Sequence, residues 1–214
     1  PNAVWREAEK DCVAPEGYHA TTIFPEYFKV NGTWVLAEES RMDCVAVWED
    51  GNIAVREFRN LKRGDRVFCG RTENGQEGIF VHAGGFSEGA GDGGDTFVFR
   101  QRRSRETAFS MDYEFLYQLL RHEREKGYVV WVMGPACSFD ADAKEAFSKL
   151  VRNGYVDAVL AGNALATHDL EGAYRGTALG QDIRTQRSVS GGHYNHIDTL
   201  NRVRSYGSIA AFIE

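Results

Sequence analysis

The sequence predicts an α/β protein with a β-rich N-terminal subdomain: a mostly antiparallel β domain followed by a partial Rossmann-like parallel βαβ unit. Three observations carry this. Between residues 18 and 83, short runs of β-branched and aromatic residues alternate with turn signals. From Ser110 the apolar spacing becomes helical. From there the order is helix, buried strand, helix, buried strand, helix, the pattern of a parallel sheet with helical crossovers.

In the N-terminal half the expected strands are "YHATTIF", "YFKV", "TWVLA", "DCVAVW", "IAVREF" and "DRVFCG", with turns at Asn31-Gly32 and Asp50-Gly51-Asn52. Two more, "GIFVHA" and "TFVFR", flank a glycine-rich loop at 84–95. In the C-terminal half Ser110 is placed to cap a helix over 111–126, with Met111, Phe115, Leu119 and Leu120 on one stripe and Gly127 as its stop. "YVVWVM" reads as a buried strand ending at Gly134-Pro135. A helix carrying Ala143, Ala146, Phe147, Leu150 and Val151 on one face follows and closes at Asn153-Gly154. "YVDAVLAG" is a second buried strand, and Thr167 is placed to cap a third helix that bears Asp169 and Glu171 near its positive end. The domains expected are 1–104 and 105–214.

The loop contains "GAGDGGD", a literal G-x-G-x-x-G at Gly89, Gly91 and Gly94. That fingerprint binds a dinucleotide only where its glycines turn a strand into a helix whose amides face the pyrophosphate. Here it precedes strand-like "DTFVFR", and Glu88, Asp92 and Asp95 would repel phosphate. It reads as a loop.

Composition narrows the function further. The apolar fraction is 43%, the charged fraction 26%, and no apolar run approaches the roughly 18 residues of a membrane span. A formal charge of −6 argues against a nucleic-acid partner. The basic run "RQRRSR" at 100–105 has no interleaved aromatic platform and reads as a solvated linker. Cys12, Cys44, Cys69 and Cys137 show no C-x-x-C spacing, which points to a reducing cytoplasm rather than a zinc ribbon or a redox dithiol.

Ligands of open parallel sheets bind beyond the carboxyl ends of the strands. Two such ends are visible, "VMGPACS" and "AGNALATHD", so Gly134 and the turn Gly162-Asn163-Ala164 are the candidate cofactor-binding residues. The plain alternative is a tight strand-to-helix turn that needs small residues.

"PEGYHATTIFPEYFKVNGTWV", "RMDCVAVW", "LKRGDRVFCG", "GPACS", "LVRNGYVDAVLAGNALATHDLEGAYRGTALG" and "GGHYNHIDTLNRVRSYGSIA" together resemble a known conserved domain. It is the one once labelled lysine-oxoglutarate reductase/saccharopine dehydrogenase bifunctional (LOR/SDH). It occurs in NAD-dependent ornithine cyclodeaminases distinct from the crystallin-like type, and in the C-terminal part of bifunctional arginine dihydrolase/ornithine cyclodeaminases. The resemblance runs from about Asp11 to Glu214. It implies a β subdomain followed by a Rossmann-like domain whose Gly162-Asn163-Ala164 turn approaches NAD. The implied reaction converts ornithine to proline and ammonia through an oxidised imine. The family ordinarily continues past the position of Glu214, so the chain is expected to hold only the first half of the nucleotide fold. The alternative is an incomplete, non-catalytic member or assembly subunit that needs a partner chain.

Four residues are the catalytic candidates. His168 and Asp169 follow the proposed NAD turn, where a neutral His can take an amine proton; the alternative is ordinary helix N-terminal residues. His193 and His196 can contact a carboxylate, act as acid and base, or sit in a hydrogen-bonded loop, and without a third ligand they make a poor metal site. Cys137 lies between a strand and a helix start, a position that can lower a thiol's pKa, although a small buried residue is the simpler reading. Arg41 and Asp43 in "RMDCV" are expected at a salt-linked strand end. The expected partners are a small amino-acid substrate and either a second copy of the chain or the complement of a split enzyme, with no metal.

Overall fold

A computed structural model describes residues 1–85 and 110–214. They fall into two compact units, one drawn from Pro1–Gly94 and Leu200–Glu214, the other from Asp95–Thr199. The "GAGDGGD" string, the "TFVFR" strand and the "RQRRSR" run lie outside the described residues.

The first unit is built on two small antiparallel sheets. One has the order β1 (Val4–Glu7), β6 (Arg66–Cys69), β4 (Val45–Glu49), β5 (Asn52–Arg56); the other has β3 (Thr33–Leu36), β2 (Glu26–Val30), β7 (Ile79–Val81). Both hairpins close as the sequence predicts. Asn31 and Gly32 join β2 to β3 at φ 50° and 82°, and Asp50 and Gly51 join β4 to β5 at φ 50° and 91°. Positive φ at both central residues is what a twisted two-residue hairpin requires, and Asn, Asp and Gly tolerate it best. Phe28, Ala37, Ala46, Ile53, Phe68 and Ile79 form the core, and the Phe28 and Phe68 rings, 4.7 Å apart, join one sheet to the other.

"YHATTIF" is not a strand. It makes only isolated bridges, Tyr18 with Cys69 and Ala20 with Val45. The cause is polar competition for the backbone. Thr21 Oγ1 donates to the Arg41 carbonyl at 2.6 Å and accepts from the Cys44 amide, while Glu26 Oε1 takes both the amide and the hydroxyl of Thr22. Buried Glu26 also meets His19 Nε2 at 3.0 Å. Arg41 pairs with Glu57 at 3.4 Å, and Asp43 adopts φ 62° just before β4.

The second unit holds α1 (Ser110–Lys126), β8 (Val130–Met133), α2 (Ala141–Arg152), β9 (Ala158–Ala161), α3 (Asn163–Arg175) and the short hairpin of β10 (Thr177–Ala178) and β11 (Gln181–Asp182). α4 (Asn195–Tyr206) starts there and runs into residues grouped with the first unit, where α5 (Ile209–Ile213) follows. β8 and β9 pair in parallel, as the crossover order predicts. α2 is capped by Asp140, whose Oδ1 accepts the amides of Asp142 and Ala143 at 2.8 and 3.0 Å, and it ends at Asn153 and left-handed Gly154. Its Phe147 lies edge-on to Trp131 of β8 at 5.5 Å, so α2 covers the Trp131 face of the strand pair.

Candidate functional site

The register pairs Met133 with Ala161, so β8 and β9 end level and Gly134 and Gly162 open at the same carboxyl edge. After Gly134 the chain makes a tight 3-10 turn, Pro135–Ser138, held by the Ser138 hydroxyl donating to the Pro135 carbonyl at 2.6 Å. After Gly162 it enters α3 at once. Neither glycine has a left-handed backbone, and a Cβ built on either meets nothing within 4 Å. Open space, not backbone strain, is what these glycines provide. Gly162 caps α3 without a side chain, which leaves the amides of the first turn uncovered by any cap.

The helix start corrects the sequence reading. α3 begins at Asn163, not after Thr167, because extended Gly162 serves as the cap and Asn163-Ala-Leu-Ala offers nothing that delays a helix. Asn163 and Ala164 are therefore its first two residues. His168 and Asp169 lie a turn further in, beyond the reach of the terminal dipole. Asp169 instead meets Lys144 Nζ of α2 at 2.9 Å. Beside this pair a cleft of ≈ 530 Å³ lies between α2 and α3, floored by Val159 and Ala161 and walled by Phe147, Val151 and Leu165.

His168 and Glu171 face the other way, into a buried polar network. His168 Nδ1 lies 2.8 Å from Glu171 Oε2, and Glu171 has no exposed surface. Glu171 Oε1 accepts the Thr177 hydroxyl at 2.7 Å and the Gly180 amide at 3.4 Å, and Oε2 accepts the Leu179 amide at 3.2 Å. Asn195 Nδ2 donates to Thr177 Oγ1 at 2.9 Å. Burial alone would push the Glu171 carboxyl up, but the hydrogen bonds from His168, Thr177 and Gly180 outweigh it and hold it below the ordinary Glu value. The ring of His196 lies 5.9 Å from that of His168, and Phe139 stands edge-on to it at 5.4 Å.

Residues 115–214 match the family described as arginine dihydrolase ArgZ-like, C-terminal, Rossmann fold. The ornithine cyclodeaminase of Methanocaldococcus jannaschii is 37% identical over 216 residues, covering 97% of this chain and 49% of that protein. The bifunctional arginine dihydrolase/ornithine cyclodeaminase AgrE of Nostoc sp. is 32% identical over 222 residues, covering 96% of this chain and 29% of that one. The crystal structure of the ternary complex of AgrE with ornithine and NAD+ matches at a TM-score of 0.72 and 30% identity over all of this chain and 28% of that one. The chain thus spans about half the length of the archaeal relative.

In this segment the three histidines differ in surroundings. His168 and His196 come together, whereas His193 is exposed in the turn Gly192–Tyr194 with its ring against Tyr194 at 4.4 Å. Among the described residues no three His, Cys, Asp or Glu side chains converge as a metal site needs. Cys137 lines the cleft, but burial and the nearby Asp169 carboxylate push its thiol up rather than down, so the strand-end position does not activate it. Sequence reasoning took Glu171 only as a dipole partner and passed over Thr177 and Asn195. The signal available was the i, i+3 spacing of His168 and Glu171, which puts both on one helix face.

Proposed function

We propose that this chain carries part of an NAD-dependent ornithine cyclodeaminase-type enzyme, with NAD held by the part from residue 105 onward. The observation that carries the reading is the pair of level glycine turns, each with empty space where a Cβ would sit, in a chain that superposes on AgrE, whose structure was solved with ornithine and NAD+. The donor set fits a dinucleotide. Small residues let the backbone approach closely at Gly134 and Gly162, the first turn of α3 offers amides to an anionic group, and Asn163 adds an amide that can serve as both donor and acceptor. When bound, the nicotinamide supplies hydride acceptor and donor chemistry. In the net reaction ornithine loses one amino nitrogen as ammonia while its other nitrogen closes the ring of proline. The chain's own task is to orient the amine and to move its protons, for which His168 is the candidate base. Asp169, His193 and His196 remain candidates for substrate contact. The four free cysteines support a reducing, cytoplasmic setting.

Calorimetric titration of the purified chain with NAD+ tests the reading. We expect saturable binding that Gly162→Ala weakens roughly tenfold, about 1.4 kcal/mol, since at φ −78° alanine is tolerated and its methyl enters the open space. Asn163→Ala should cost about 1–3 kcal/mol of affinity if its amide is a buried partner of the nucleotide. No binding by the unmodified chain, or equal affinity in both variants, defeats the assignment.

A second reading, that the chain needs further polypeptide to complete the site, is favoured by one observation. Val130, Val132 and Leu160 share the face of the strand pair opposite Trp131, and Val132 is 80% and Leu160 59% exposed. Parallel sheets are ordinarily covered on both faces. On this reading ornithine and NAD+ give no proline or ammonia with the isolated chain.

A further inference from the structure

The hydrogen-bond census around Glu171 determines where the proton on His168 sits. An ionised carboxylate only accepts, at about four lone-pair sites. Two of the donors here are backbone amides, Leu179 and Gly180, which cannot reverse. A third, the Thr177 hydroxyl, already accepts from Asn195, so its own proton points to Glu171. The fourth site faces His168 Nδ1 at 2.8 Å, and with the carboxyl held ionised at neutral pH that nitrogen must be the donor. A neutral His168 then carries its free lone pair on Nε2.

We propose that Glu171 is the positioning residue that holds His168 in its Nδ1–H form, so that Nε2 is the atom that takes up and releases the proton in the reaction. This rests on the function proposed above. Nε2 accepts a proton from the substrate ammonium and the ring becomes an imidazolium, its Nδ1–H still bonded to Glu171. The same proton is returned to the nitrogen that departs as ammonia, so the residue ends each cycle unchanged. The charged and titratable groups around the ring are Glu171 on its own helix and His196 on α4. Lys144 of α2 is engaged with the carboxylate and carbonyl of Asp169 next to it.

Ring-nitrogen NMR of the full chain labelled with 15N-histidine tests this, with His168→Gln to assign the resonances. We expect neutral His168 to be protonated at Nδ1, this tautomer preference to weaken in Glu171→Gln, and the Nε2 resonance to move on saturation with NAD+ and ornithine. Protonation at Nε2 in the unmodified chain overturns the proposal, and this measurement stands even if Glu171→Gln fails to fold. An unchanged tautomer preference in a folded Glu171→Gln, or an Nε2 resonance unmoved at saturation, overturns it as well. Calorimetry separates the two failures: absent NAD+ binding sinks the function itself, whereas normal binding with the wrong tautomer sinks only the role of Glu171.

Discussion

A carboxylate with no exposed surface is stable only while its oxygens are filled, and Glu171 meets that condition with donors from α3, β10 and the turn that follows it. The consequence is a pH dependence of stability. Its folded pKa lies below the ordinary Glu value that the unfolded chain has, so its contribution is fully present above that value and is lost as pH falls through the depressed one. Thermal unfolding should therefore show stability falling through the acid range, and falling less steeply in Glu171→Gln, which at neutral pH should be less stable by about 1–3 kcal/mol. Parallel profiles for the two proteins would refute this. The exposed carboxylates that are also held low, Asp182 among them, remain in both proteins and cancel. At this scale the identity of the polar residues was legible but their partners were not. His168 and Glu171 share a helix face by spacing alone, whereas Thr177 and Asn195 reach them only because α3 reverses at left-handed Gly176 and α4 comes back alongside.

Among the elements, hairpins and caps followed local chemistry and were readable: Asn31-Gly32, Asp50-Gly51 and Asn153-Gly154 each do what their residue types dictate. The close approach of two distant glycines was not readable. A Cβ on Gly192 would run into the carbonyl oxygen of Gly180, whereas one on Gly134 meets open space. We expect Gly192→Ala to cost about 1–3 kcal/mol in urea unfolding, as overpacking does, and Gly134→Ala to stay within about 0.5 kcal/mol. Equal effects would show that the turn before α4 yields without cost. The errors at this scale have a common origin. "YHATTIF" has strand composition but its Thr21 hydroxyl ties the local backbone, and α3 starts five residues earlier than a cap at Thr167 suggests because glycine caps without announcing itself.

For the molecule as a whole, the exposed Val130, Val132 and Leu160 predict association. A parallel strand pair with an apolar face in water gains by covering it, at about 25 cal/mol per Å². In sedimentation the purified chain should self-associate with rising concentration, and Val132→Lys with Leu160→Lys should shift it toward monomer. A strictly monomeric chain that is indifferent to both substitutions would rule this out. No helix among the described residues is long and apolar enough to cross a membrane.

The sequence by itself determined the fold class, the parallel βαβ order, the type of the hairpins and the two strand-end glycines. Each of these is set by residues within a few positions of one another, through periodicity, turn chemistry and caps. Only the tertiary structure decided that those glycines open level at one edge, that burial and Asp169 push the Cys137 thiol up, that the His168 and His196 rings come together, and that Glu171 is the acceptor at the centre of a buried network. These depend on burial and on contacts between residues far apart in the chain. Burial moves a pKa, and a donor fills an acceptor, only once folding has brought the groups together.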